Sequence, residues 1–257
     1  MSLKSLALAL CGFLALSATA CRDRDFEGLR RKVMGNEALW LRIVLAAEVR
    51  LPETGPATRM EIPQLLERAA SVPGVEHVAV TDALPGALAS GHQVQIEREG
   101  VPSDRPSPGY VHVVSSGYFP TMGLRLIQGR LFSGHDNESN LSVAVVNESF
   151  AHGVHENSLG RRVRFGSGSR SWVTIVGVVQ DGPRVRHSPE VYIPYTQRAL
   201  YGPRKPADAP AWYLLARVPG EPREQEAVSA HLRQVLGLEF LIMEDRLNAY
   251  LKAHEPD

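Results

Sequence analysis

The stretch VHVVSSGYFPTMGLRLIQGRLF (111–132) decides the fold, together with VAVVNESFA (143–151), LGRRVRF (159–165), WVTIVGVVQDG (172–182) and EVYIPYTQ (190–197). It is dense in signals that shape a backbone and nearly empty of chemistry. Val111, Val113 and Val114 form a β-type apolar run, punctuated by Ser115-Ser116-Gly117. Tyr118, Phe119 and Met122 fall within one helical turn, and Gly123 supplies the left-handed residue that ends such a turn. Phe119 and Met122 are expected in the core. Ser142 to Val146 reads as a short buried strand, followed by Asn147 as an N-cap and Glu148 in a first turn. Arg162 to Phe165 alternates, the GSGS at 166–169 turns the chain, and Trp172 to Val179 returns as a β-branched strand.

Outward from this block, Leu41 to Val49 reads as a first core strand, and Pro52 to Thr58 as a turn-rich break. Ile62, Leu65, Leu66 and Ala69 recur at helical spacing, and Val75 to Val80 forms the next strand. His92 to Glu99 fits a hairpin strand. Beyond the block, Pro203 to Pro210 is a proline-rich, exposed loop. Trp212 to Val218 then reads as a strand, Glu224 to Leu236 as a helix with Ala227, Leu232 and Val235 among its apolar positions, and Glu239 to Met243 as a strand. Residues 41–85 and 211–245 repeat one strand-helix-strand pattern around a β-rich region at 90–200. The expected class is α+β, an α/β half from two strand-helix-strand units with an inserted β-rich half.

In this order and spacing, SSGYFPTMGLRLIQGRLFSGHD, VAVVNESFA, LGRRV, TIVGVVQDG and VYIPYTQ resemble the MacB-like periplasmic core domain. That domain occurs in ABC transporter permeases of the macrolide-exporter and FtsX type. LAAEVRLPE and PQLLERAASVPGVEHVAVTDALP (63–85) extend the match, so the resemblance spans Leu41 to Asp245. It implies a porter-like α/β half split by a β-rich insert, no cofactor, and a role in transmitting motion from the membrane to periplasmic partners.

The sequence has 257 residues, enough for a sizeable core, and its 28 basic and 28 acidic side chains cancel. That balance gives no electrostatic footprint for nucleic acid. Both cysteines, Cys11 and Cys21, lie in the N-terminal segment, so residues 22–257 contain no disulfide or thiolate ligand. That segment carries Lys4, an apolar Leu6 to Leu16 and the small residues Ala18-Thr19-Ala20 before Cys21. It reads as a signal for residues 1–20 with lipidation at Cys21. Two alternatives stand: plain cleavage after Ala20, or an anchor retained as a span, for which Ser5 to Cys21 is at the lower limit of about 17 residues. Each places the body outside the cytoplasmic membrane. Residues 21–40 suit a tether and 246–257 a tail. No later segment reads as a span, an expected departure from the resembled permeases, and no Walker A sequence occurs.

The candidate chemistry is sparse. His152 and His155, with His135 upstream, have one-turn metal spacing, but Gly153 breaks the turn and a third ligand is missing. Ser115 and Ser116 are expected to cap the helix at Tyr118, because no nucleophile elbow encloses them. Asp181-Gly182 fits turn chemistry at a strand end. Arg184, Arg186 and His187 form a basic loop suited to solvent or a partner carboxylate. Trp172 and Trp212 are expected in the core, and Trp40 near a membrane or partner. These readings assign no catalytic, cofactor or metal residues. The expected function is non-catalytic: a membrane-anchored envelope domain coupling to proteins such as an ABC permease and ATPase complex. The alternative is an envelope lipoprotein holding a small hydrophobic or peptide ligand in a cleft lined by Tyr118, Phe119 or Trp172.

Overall fold

The computed structural model describes residues 44–49, 56–84, 92–100, 107–152, 158–165, 171–182, 188–201 and 212–243. Within them, β1 (Val44–Val49), α1 (Pro56–Ala70) and β2 (His77–Thr81) form the first strand-helix-strand unit. β10 (Trp212–Arg217), α4 (Pro222–Leu236) and β11 (Leu241–Ile242) form the second. The two units interlock, because the strand order is β11-β1-β10-β2 with every neighbour antiparallel. Each unit's strands are therefore separated by a strand of the other, the split arrangement of ferredoxin-like sheets.

Periodicity explains how the helices sit on this sheet. Ile62 and Ala69 of α1 are fully buried with Leu45, Ala47, Val80, Leu214 and Ala216 in one cluster. Pro56 opens α1 at a position where a missing N–H costs nothing, so the break expected up to Thr58 is partly helix. On α4 the inward residues are Gln225, Val228 and Leu232. Ala227 and Val235, counted with Leu232 among the apolar positions in the sequence, are exposed. Leu232 is buried as its apolar character suggests, but the inner stripe also contains a glutamine, whose Nε2 donates to the Gly220 carbonyl at 3.1 Å, so hydropathy alone marked only part of the stripe.

The region between β2 and β10 holds β3 (His92–Arg98), β4 (Ser107–Val114), α2 (Tyr118–Met122), β5 (Leu126–Gly129), β6 (Val143–Asn147), α3 (Glu148–His152), β7 (Arg162–Phe165), β8 (Val173–Val179) and β9 (Glu190–Pro194). Six of these strands close on themselves. β3 pairs β4, β4 pairs β9, β9 pairs β6, β6 pairs β8, β8 pairs β7, and β7 returns to β3. Closure removes the exposed edges that an open insert would present. Ile96, Val111, Val113, Val163, Ile175, Val191 and Ile193 are buried in the same cluster as the helix-covered face of the sheet.

Sheet and barrel meet at one backbone pair, Thr81 opposite Val114. Two side chains extend that meeting. Asp82 Oδ1 accepts from Val113 N at 2.8 Å, and Ser115 Oγ accepts from Val80 N at 3.0 Å. The neighbouring backbone bonds, Asp82 N to Val113 O and Ser115 N to Val80 O, complete the seam. Gly117 permits this approach: a Cβ there would stand 2.3 Å from the Val78 carbonyl oxygen. Ser115 is thus a strand splice rather than the expected helix cap, and Ser116 is exposed. Helix α2 starts at Gly117 with no side-chain cap and stops at Gly123, whose φ of 68° is the expected left-handed stop.

Behind the seam, α2 packs on β2 and β10 and presents its rings to the outer face of β9. Tyr192 is the hub, 5.3 Å from Phe119, 5.6 Å from Tyr118 and 5.5 Å from His112, centroid to centroid. Phe119 also meets Phe132 at 5.6 Å and has no exposed surface. Phe119→Ala is expected to cost about 3–5 kcal/mol. For a domain of this size that lowers Tm by roughly 6–20 °C; a thermal scan by circular dichroism showing a shift below about 2 °C would contradict this packing role.

Candidate functional site

Several polar side chains that the fold buries are held by the backbone. Asn147 ends β6 and is nearly inaccessible: its Oδ1 accepts from Phe150 N at 3.0 Å and Glu190 N at 2.9 Å, and its Nδ2 donates to Ser188 O at 2.9 Å. The first of these is the expected N-cap bond, and the other two lock β6 to β9. Asp181, expected in a turn, instead accepts from Ser149 N at 2.9 Å and Ser149 Oγ at 2.6 Å. The Glu148 carboxylate reaches back to accept from Asp181 N at 3.2 Å. These groups build the entry to α3.

A second polar group fixes the loop before β6. Asp136 receives both terminal nitrogens of Arg130 at 2.8 Å, and Ser133 N at 2.8 Å. Gln197 is fully buried: its Oε1 accepts from Val143 N at 3.0 Å, and its Nε2 donates to the carbonyls of Asn137 and Leu141 at 2.9 Å each. Burial pushes the Asp136 carboxyl up, but the bonds from Arg130 and Ser133 outweigh it, so its pKa lies below the ordinary aspartate value.

Of the histidines read as metal candidates, His135 lies on the Asp136 loop, where its N–H donates to Ser133 Oγ at 3.3 Å, while His152 ends α3. His155 lies outside the described residues, as do Cys21, Trp40, Arg184, Arg186, His187, the GSGS turn, the loop from Pro203 to Pro210 and the tail at 246–257. Among the described residues no group of three His, Cys, Asp or Glu gathers as a metal site. Tyr118 and Phe119 are packed, so they line no ligand cleft. Trp212 is in the core as expected, but Trp172 is half-buried, with the Arg164 guanidinium 4.9 Å above its ring. Arg164 also pairs with Glu97, so the tryptophan face is covered by charge rather than by the apolar interior.

One cleft stands out among the described residues. It encloses about 480 Å³ between β5 and α3, with apolar walls of Ile127, Ala151 and Val178 and polar groups from Gln128, Glu148, His152 and Ser158. Sequence reading missed it because its walls come from segments far apart in the chain. Only the exposed Leu-Ile pair at 126–127 signals it.

The model of the MacB-like periplasmic core domain matches residues 31–235. The chain belongs to this family. It is a MacB-like periplasmic core domain, the periplasmic portion of an ABC transporter permease-like protein. The periplasmic region of MacB from Actinobacillus actinomycetemcomitans is similar in fold, with a TM-score of 0.54, 15% identity, and coverage of 88% of this chain and 100% of that one. The extracellular domain of the noncanonic ABC-type transporter YknZ from Gram-positive bacteria has 13% identity over 76% of this chain and 99% of that one, with a TM-score of 0.48. No curated protein matches the sequence. Among the described residues no helix is long and apolar enough to cross a membrane.

A folded-state pKa below the unfolded value makes Asp136 stabilising above the unfolded aspartate pKa of about 3.9, and this contribution is lost as pH falls through the folded value. Acid unfolding of the parent should therefore contain a component below about pH 4 that Asp136→Asn lacks, while the variant is less stable at neutral pH. Parallel denaturant titrations at several pH values would measure both; identical pH profiles would remove Asp136 from the account.

Proposed function

We propose that this chain is a non-catalytic coupling module of the bacterial envelope, an adaptor that works through protein–protein contacts with an ABC permease and ATPase complex. The observation that carries this reading is family membership together with the use made of the buried polar groups. Asn147, Gln197, Asp136, Asp82 and Ser115 each hold backbone or a partner side chain in place. A hydrolase needs an acid-base set facing a reacting atom, whereas these groups face the protein's own amides and carbonyls. The seam supports coupling as well. A sheet and a barrel joined by ladder-like bonds and an aromatic hub move as one body, as a transmitter of displacement must. The alternative of a hydrophobic ligand at Tyr118 and Phe119 loses its support because those rings are packed.

In this reading residues 1–20 are a signal or anchor and 21–40 a tether. The core domain spans 41–245, with its α/β half at 41–85 and 211–245 and its β-rich insert at 90–200, and residues 246–257 are a tail. Cys21 is the lipid attachment point that holds the body to the membrane on its periplasmic side.

Two experiments test this. Cys21→Ser should release the mature chain from membranes or leave it unprocessed, and labelling with a fatty-acid analogue should depend on Cys21; equal label in both chains would remove lipidation. The full chain purified in mild detergent should bring ABC permease or ATPase subunits with it, and the variant His135→Ala, His152→Ala, His155→Ala should retain them. A hydrolytic activity that co-purifies with the chain and vanishes in that triple variant would overturn the non-catalytic assignment.

A further inference from the structure

Strand β5 stands apart from the closed ring. Among the described residues it pairs on one side only, with β8, and all four of its residues are exposed. Leu126 and Ile127 are 41% and 46% accessible, unlike the apolar residues of neighbouring β6 and β8, which are mostly buried. The register shifts between Leu126 and Gln128, so Ile127 is a bulged residue released from the ladder. Bulges re-aim side chains, and Ile127 stands at the rim of the cleft against α3.

The cleft contains a second, independent signal. Ser158 is only 3% accessible, and its hydroxyl has no hydrogen-bond partner. A buried hydroxyl left unpaired is costly, and this residue lines the cleft, where an acceptor arriving from outside would satisfy it. Among the described residues the lining carries one carboxylate, Glu148, and no lysine or arginine. An open strand edge complements an extended backbone, an apolar wall complements an apolar side chain, and a lone carboxylate complements a cation.

We propose that β5 and this cleft dock an extended segment of a partner protein, which pairs along β5, places an apolar side chain against Ile127, Ala151 and Val178, and sets a lysine or arginine opposite Glu148. Successive side chains on one face of a strand are two residues apart, so the apolar and basic residues of the segment have that spacing. Its carbonyls or side chains supply the acceptor for the Ser158 hydroxyl. Main-chain bonds then give affinity and the cleft gives selectivity. The inference rests on the coupling reading and names its contact surface.

The test uses the full chain and a labelled peptide that alternates threonine and valine and carries one leucine followed two positions later by lysine. Fluorescence anisotropy should show saturable binding, weakened at least about tenfold by Ile127→Asp, a loss of about 1.4 kcal/mol. Replacing the peptide's lysine by glutamate should weaken binding to the parent. Glu148→Gln should abolish that discrimination while keeping an acceptor for Asp181 N. N-methylation of alternate peptide amides should reduce binding. Equal binding to the parent and Ile127→Asp, indifference to lysine or glutamate, or no saturable binding would each overturn the proposal. A dimer of the parent that dissociates in Ile127→Asp would place a second copy on β5 and also overturn it. Transporter subunits that co-purify undiminished with Ile127→Asp would sink this docking surface while leaving the coupling reading intact.

Discussion

The seam between β2 and β4 is the constraint on which the rest of the structure depends. One backbone pair would be a weak joint between a four-stranded sheet and a six-stranded ring. Asp82 and Ser115 extend it by lending side-chain oxygens to amides of the opposite strand. Both residues are buried, so these bonds are shielded from competing water, and losing either would strand a buried amide. The seam also sets the position of Gly117, and through it of α2. Ring contacts from α2 to Tyr192 then carry the connection around to β9.

Closure of the insert follows from the same need to satisfy backbone groups. Its strands are short, and an open sheet of them would expose unpaired N–H and C=O groups on two sides. Parallel pairings, β4 with β9 and β6 with β8, complete the ring where hairpins alone could not. The polar residues Asn147 and Gln197 sit where the chain leaves this ring, at the end of β6 and just past the end of β9. Each bonds backbone more than forty residues away, at Glu190 and Val143 respectively.

This distribution of polar groups bears on function. Among the described residues, Asn147, Gln197, Asp82 and Ser115 spend their polar atoms on the protein's own backbone. The place where backbone edge, apolar side chain and unpaired hydroxyl coincide is β5 and the cleft beside α3. This MacB-like domain has there the features that recognition of an extended segment requires.

The sequence by itself determined most element types, the two strand-helix-strand units around a β-rich insert, the left-handed stop at Gly123, the capping by Asn147 and the family, but not strand β5. These are legible because each rests on local periodicity or on the conformational demands of one residue. The sequence did not reveal that Gln225 joins Leu232 on the inner face of α4, or the half-buried state of Trp172 beneath Arg164. Nor did it reveal that Ser115 splices strands instead of capping a helix. Ring closure, the seam at Thr81 and Val114, and the cleft unite residues some 30 to 80 positions apart. Tertiary structure alone decided these, because a hydrogen-bond partner or a packing neighbour at such separation leaves no periodic trace in the chain.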